Sequence, residues 1–143
     1  MSIHQISVFL ENRTGQLAEI THLLAENNID IRAISIAETA DYGVARMIVN
    51  DSAATASVLL ANGNILSMTP VWAVEVPDRP AGLSELLITL SEGGIAVEYM
   101  YSLFTHKDGH AYMVLRISDE ASFTKVLGEH GIKIVGMEEL GLK

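Results

Sequence analysis

Asp78-Arg79-Pro80-Ala81-Gly82-Leu83 lies just past the middle of the chain. It follows an alternating run, Val71-Trp72-Ala73-Val74-Glu75-Val76, and precedes apolar residues at helical spacing. Proline and glycine at such a junction mark a turn from strand to helix. Sixty-six positions earlier, Asn12-Arg13-Thr14-Gly15-Gln16-Leu17 stands in the same setting. The chain reads as one unit written twice, and the two turns are where its function is expected.

The order of elements supports the repeat. Ile6, Val8 and Leu10 alternate with polar or outward residues, a period of two that predicts a strand. Asn12 or Thr14 is placed to cap the helix that follows, with Leu17, Ile20, Leu23 and Leu24 on its apolar side. Asn27-Asn28 ends that helix. Residues 29–39 and 44–49 form a hairpin around Asp41-Tyr42-Gly43, and Asp51-Ser52 caps a second helix to about Ala61. Residues 65–76 read as extended, interrupted only by Pro70. The second half repeats the order: a helix from Leu83 to Gly93-Gly94, a hairpin over 95–117, a helix from Asp119 to Gly131, and a last strand over 132–138.

Val8, Arg13, Leu17, Glu19, Leu24, Glu26 and Ile29 recur 66 positions on, and Thr39, Gly43, Ala45 and Met47 continue that frame. After the hairpin a two-residue insertion moves the offset to 68, at which Asp51, Ala53, Val58, Leu59 and Gly63 recur. Each half is strand–helix–strand–strand–helix–strand. The fold class is therefore α+β, two ferredoxin-like βαββαβ units over residues 1–70 and 71–143. Each has an antiparallel sheet with its helices on one face.

Composition narrows the function. The chain has 143 residues, 18 acidic against 9 basic, and a formal net charge of −9. Without a basic footprint, nucleic acid and anionic membrane are not expected partners. Cysteine is absent, which removes disulfides, thiolate metal sites and a cysteine nucleophile. No signal sequence or membrane-length apolar run is visible, so a cytoplasmic location is expected. His4, His22 and His130 are scattered, and His106 and His110 flank a turn without a third ligand, so no metal site is expected. No catalytic triad, Walker loop or dinucleotide fingerprint occurs, so no cofactor is expected either.

At this point the turns become specific. A strand, an Asp/Asn-x-Pro/x-Gly-x-Leu turn and an amphipathic helix inside a βαββαβ unit resemble the ACT domain, a regulatory module that binds amino acids. The first turn carries Asn for Asp and Thr for Pro, and the second carries its glycine one place later. Val97-Glu98-Tyr99-Met100-Tyr101-Ser102 also resembles the second strand of stand-alone tandem ACT proteins labelled as acetolactate-synthase-like regulators. The resemblance spans essentially the whole chain and implies a non-enzymatic, allosteric amino-acid-binding regulator that forms a homodimer. It implies a ligand held between the turn of one unit and the second-strand region of a neighbour. That points to Asn12, Thr14, Gly15, Gln16 and Leu17 with Ile34 and Ser35, and to Asp78, Pro80, Ala81, Gly82 and Leu83 with Tyr99, Met100 and Tyr101. Asn12 or Asp78 would take the α-amino group and backbone N–H groups the carboxylate.

Two other readings stay open. The chain could be a detached regulatory subunit that mainly binds an enzyme of amino-acid metabolism, its ligand binding lost. More remotely, Arg13 with Asn12 allows an acylphosphatase-like hydrolase, although such an enzyme needs only one unit. A Gly/Pro turn before a helix is also, most often, only a turn. Arg13 and Arg79 sit at a variable position where solvation is the ordinary role.

Overall fold

The computed structural model describes residues 1–11 and 13–143. Two compact units are distinguished, each taken here by itself. The first comprises His4–Pro70 and Met137–Lys143, the second Met1–Ile3 and Val71–Gly136.

The first unit holds β1 (Ile3–Glu11, from His4 onward), α1 (Gln16–Glu26), β2 (Ile31–Glu38), β3 (Tyr42–Val49), α2 (Ser52–Ala61) and the start of β4 (Leu66–Pro77). Its strand order is β2-β3-β1-β4, with β1 antiparallel to β3 and β2 antiparallel to β3. The second unit holds the rest of β4, then α3 (Gly82–Glu92), β5 (Val97–Ser102), β6 (His110–Ile117), α4 (Glu120–Glu129) and β7 (Ile134–Val135). Its order is β7-β4-β6-β5, all antiparallel. Both are the ferredoxin-like arrangement expected from the repeat, and the expected extended stretch is one strand, β4, that continues through Pro70.

Period-two alternation decides which strand face meets the helices. Ile6, Val8 and Leu10 of β1 pack with Ile20 and Leu24 of α1 and Leu59 of α2. Trp72, Val74 and Val76 of β4 pack with Leu86 and Leu90 of α3 and Leu127 of α4. The two cores occupy mostly equivalent positions and differ most at one place. Where the first unit has Ile6 and a buried Thr55, the second has Trp72 and Phe123 in an edge-on contact, ring centroids 6.0 Å apart. The second helices are capped alike. Asp51 accepts from Ala54 N–H at 3.0 Å and Asp119 from Ser122 N–H at 3.2 Å, each satisfying a donor the helix cannot. α1 and α3 differ, for they start at left-handed residues, Gly15 and Ala81, with no side-chain cap. Thr14 does not cap α1.

Two expectations are corrected. The last strand does not run over 132–138. β7 is two residues long, and α5 (Met137–Leu140) follows, with Leu140 buried and Lys143 exchanging backbone hydrogen bonds with Asn50 and Ser52 in the first unit. The insertion is also misplaced by the sequence frame. Ile6 pairs with Met47, but its equivalent Trp72 pairs with Leu115, so β3 and β6 are already 68 apart. Ile34 pairs with Met47 and Met100 with Leu115, so β2 and β5 remain 66 apart. The two extra residues therefore lie in the second hairpin's turn. Gly43 corresponds to Ala111 in the strand, while Gly109 belongs to the turn, at φ +75°.

The glycine shift between the β–α turns also has a physical cause. Gly15 has φ +87°, and its equivalent Ala81 adopts φ +70° although it carries a Cβ. The next residue is a glycine for a different reason, because a Cβ on Gly82 would stand 2.1 Å from the carbonyl oxygen of Pro77. Ala81→Gly is expected to stabilise the chain by about 1 kcal/mol, by removing the left-handed strain. Gly82→Ala is expected to destabilise it by about 1–3 kcal/mol through backbone displacement. Urea unfolding of the two variants against the parent chain measures both signs.

Candidate functional site

The two β–α turns are near copies in three dimensions. As each strand ends, Arg13 N–H donates to Glu11 O at 2.8 Å and Arg79 N–H to Pro77 O at 3.0 Å. The left-handed residue then starts the helix, and Glu19 N–H and Glu85 N–H donate back to Gly15 O and Ala81 O, both at 2.9 Å. Across each turn an arginine closes a two-pronged contact. Arg13 donates to Glu19 at 3.2 and 2.9 Å, and Arg79 to Glu85 at 3.2 and 2.9 Å. The hydrogen bond from Arg13 holds the Glu19 carboxyl below its ordinary range. Planar guanidinium against carboxylate fixes orientation as well as charge. Both arginines are thus committed to the turn rather than merely solvated. Their geometry gives the hydrolase reading no support, since the cation it needs is already paired.

Of the residues expected to bind ligand, Asn12 lies outside the described residues. Thr14, Gly15, Asp78, Pro80, Ala81 and Leu83 are exposed around the turns, while Gln16 and Gly82 are buried and Leu17 packs at the edge of the core. Ile34 and Met100 lean on the cores of their own units; Ser35 and Tyr99 are half-buried and Tyr101 is buried. Within a unit the turn and the second strand are not brought together. β3 lies between β1 and β2, as β6 does between β4 and β5, two strand spacings or roughly 10 Å.

The structure adds residues that were not singled out. In the second unit a groove of about 380 Å³ runs between α3, β4 and the chain leaving α4, with Glu75, Glu85, Thr89, His110, His130 and Lys133 among its lining. Glu75 is one of these residues, and its side chain is only 10% exposed. Lys107 Nζ is 2.8 Å from its Oε1, His110 Nε2 is 3.5 Å from the same oxygen, and Lys133 Nζ is 3.9 Å from Oε2. His110 Nδ1 donates to the carbonyl of Asp108 at 3.2 Å, so its other nitrogen faces Glu75. The hydrogen bond from Lys107 holds Glu75 below the ordinary carboxylate range, against the opposing effect of desolvation. One signal in the sequence could have found this cluster, namely a lone acid in the otherwise apolar run Val71–Val76. The turn insertion that carries Lys107 to it was not visible without the strand register.

A carboxyl whose folded pKa is depressed stabilises the fold above its unfolded pKa, and that contribution disappears as pH falls through the folded value. Glu75→Gln is therefore expected to lower stability at neutral pH. The gap to the parent chain should close as pH drops below about 4.5, the ordinary value for this group. Urea midpoints across that range check it, and a gap independent of pH would overturn it.

Comparison with known proteins agrees with the geometry. A family model described as an ACT domain pair matches residues 1–141. Among solved structures, protein BT0572 from Bacteroides thetaiotaomicron is similar, with a TM-score of 0.90 at 35% identity over 99% of this chain and 96% of that one. The ligand-free regulatory subunit of aspartate kinase from Thermus thermophilus shares the fold, with a TM-score of 0.64 at 15% identity over 90% and 91% of the two chains. The regulatory subunit from Thermus flavus does likewise, at 0.60 and 15% over 92% and 93%. No curated protein matches the sequence. With its twice-written β–α turn, its two ferredoxin-like units and a family match over nearly its full length, the chain belongs to the family of ACT domain pairs.

Proposed function

We propose that this chain is a non-enzymatic cytoplasmic regulator that binds an amino acid at its β–α turns and signals occupancy through a change of shape or assembly. The observation that carries the reading is the duplicated turn. In both copies a left-handed residue opens an uncapped helix, and an Arg–Glu contact holds the turn against the helix. The first-turn N–H groups of such a helix attract a carboxylate through their own polarity and the helix dipole. In the second turn the exposed Asp78 carboxylate receives the ligand's ammonium group; Asn12 is its counterpart in the first. A second copy of the chain, in a homodimer, supplies the strand side chains that face away from the cores, Ser35, Tyr99 and Tyr101. Ligand binding then shifts the pairing equilibrium by its preference for the bridged state.

A second reading has one observation in its favour. The first unit exposes Phe9, stacked on Tyr42 at 5.5 Å, beside Ile65, and an exposed apolar patch suits a protein partner. On that reading the chain is a regulatory subunit for an enzyme of amino-acid metabolism and needs no ligand.

A thermal-shift screen against the twenty amino acids separates the two. A ligand at about 100 times its dissociation constant adds roughly 2.7 kcal/mol, a shift of several degrees. The sensor reading expects one amino acid, or a chemically related few, to raise the midpoint, and Asp78→Ala to reduce that response. If none of the twenty does so, direct sensing is wrong and the partner reading takes its place.

A further inference from the structure

Strand register lays a row of apolar side chains across the first unit, on the sheet face turned away from its helices. Val8 and Leu10 of β1 point into the core, so Phe9 between them points to the other face. Phe9 pairs with Val44 of β3, and Val44 with Ala37 of β2. On its other side Phe9 N–H donates to Ile65 O at 2.9 Å, which sets Ile65 beside it, while Leu66 turns to the core. Tyr42, one step along β3, stacks its ring on that of Phe9. Phe9, Tyr42 and Ile65 are 39, 44 and 69% exposed, so three large apolar side chains stand together in water. The fold does not require them. In the second unit their equivalents are Glu75, His110 and Lys133, and Glu75 N–H donates to Lys133 O in the same way at 3.0 Å. Contiguous apolar surface kept where polar residues serve the same sheet position marks a contact face.

Size and charge say what covers it. The row crosses four strands, about 14 Å, and with Tyr42 extends about 7 Å along them. That is far short of the roughly 800 Å² that each partner buries in a stable pair, so the face seats a short segment rather than a whole domain. Glu11, Glu38 and Asp41 lie exposed at this end of the sheet. Arg13, the cation beside them, is held by Glu19 through two hydrogen bonds and lies 3.5 Å from Glu11. Arg46, one row away opposite Ser7, is half-buried and not free. A symmetric contact between two copies would bring these acids together, in a chain of net charge −9. An anionic membrane would be repelled in the same way. An apolar anchor flanked by Lys or Arg is complementary to both the centre and the rim.

We propose that this face of the first unit docks a short basic segment of a partner protein. One or two leucine-sized side chains of the segment sit on Phe9, Tyr42 and Ile65, and flanking Lys or Arg residues meet Glu11 and Asp41. The inference rests on the regulatory-subunit reading and supplies the chemistry of the partner. It requires neither an occupied nor an empty β–α turn. The second unit lacks the surface, because Glu75, His110 and Lys133 stand in place of its three anchors.

Amide chemical-shift mapping of the ¹⁵N-labelled full chain tests this with three blocked hexapeptides, Lys-Lys-Leu-Leu-Lys-Lys, Glu-Glu-Leu-Leu-Glu-Glu and Lys-Lys-Gly-Gly-Lys-Lys. The first is expected to shift the amides of Phe9, Tyr42, Val44 and Ile65, with neither of the others doing so at the same concentration. Phe9→Gln, which removes the ring without adding charge, is expected to weaken that binding about ten-fold. Glu11→Lys with Asp41→Lys is expected to weaken it by a similar factor and to remove its sensitivity to salt. All three positions are exposed, and the spectra report whether each variant is folded. Equal binding of the glycine peptide would reduce the contact to charge alone and refute the docking face; equal binding of the acidic peptide would refute the role of the rim. Sedimentation of parent and Phe9→Gln chains gives the other occupant its chance, since a dimer that the substitution dissociates would make the face a self-contact and overturn the proposal. Shifts from the first peptide at other residues would overturn this face and leave the subunit reading standing, and silence everywhere would overturn both.

Discussion

A helix that is to lie back across the strand preceding it needs the chain to reverse within a few residues. Each unit makes that reversal with a single residue at positive φ. Every packing contact between α1 and β1, or α3 and β4, depends on that step, because it sets the direction in which the helix leaves. The arginine two residues before it then ties the strand end to the helix's first turn through a carboxylate. These surface contacts are worth little individually. Their value is geometric, since they hold a short loop in one conformation and keep the helix N-terminus open rather than capped. For the proposed ligand reading at the helix N-termini, that opening matters more than the stability of a cap.

The second copy shows how one constraint can be met by different residues. Glycine is the natural occupant of a left-handed position, yet the second turn puts Ala81 there and uses its glycine one place on. Pro77 explains the trade. Its carbonyl comes so close that no Cβ fits at position 82, and a second glycine beside it would loosen the loop further. In the first unit the equivalent residue is Gln16, so the strand end and helix start cannot approach in the same way. The displaced glycine, which in the sequence looks like a decayed motif, marks a closer approach and opens the groove toward β4.

Much of this was legible in the sequence because it is local. The caps at Asp51 and Asp119, the helix ends and the strand periodicity are properties of neighbouring residues, and a repeat doubles each signal. The hairpin insertion was not local. Gly43 and Gly109 align as letters, but one sits opposite Leu10 in a strand and the other makes a turn, and only pairing between strands tells them apart. The last strand failed for a related reason. Apolar residues at 134, 135, 137 and 140 fit extended chain as well as a short strand followed by a helical turn, and what decides is where Leu140 is buried. As for the candidate site, the turns were visible as motifs. Glu75 was visible only as an anomaly, an acid in an apolar strand.

That anomaly bears on how the two units divide their work. Duplicated units that do one task twice are expected to keep the same surface, whereas here the cores are held and the surfaces diverge. Val8 and Val74, Leu24 and Leu90, and Leu59 and Leu127 fill matching places in the two cores. On the outside, a stacked Phe9–Tyr42 pair in one unit stands where Glu75 and His110 stand in the other. The longer hairpin turn of the second unit delivers Lys107 to Glu75, and without that cation the carboxylate would keep only His110 at 3.5 Å and Lys133 at 3.9 Å. An ionised group is kept in such a place only where something compensates it. The insertion that carries Lys107 and the acid at 75 therefore belong together, while the first unit keeps apolar side chains at the equivalent positions.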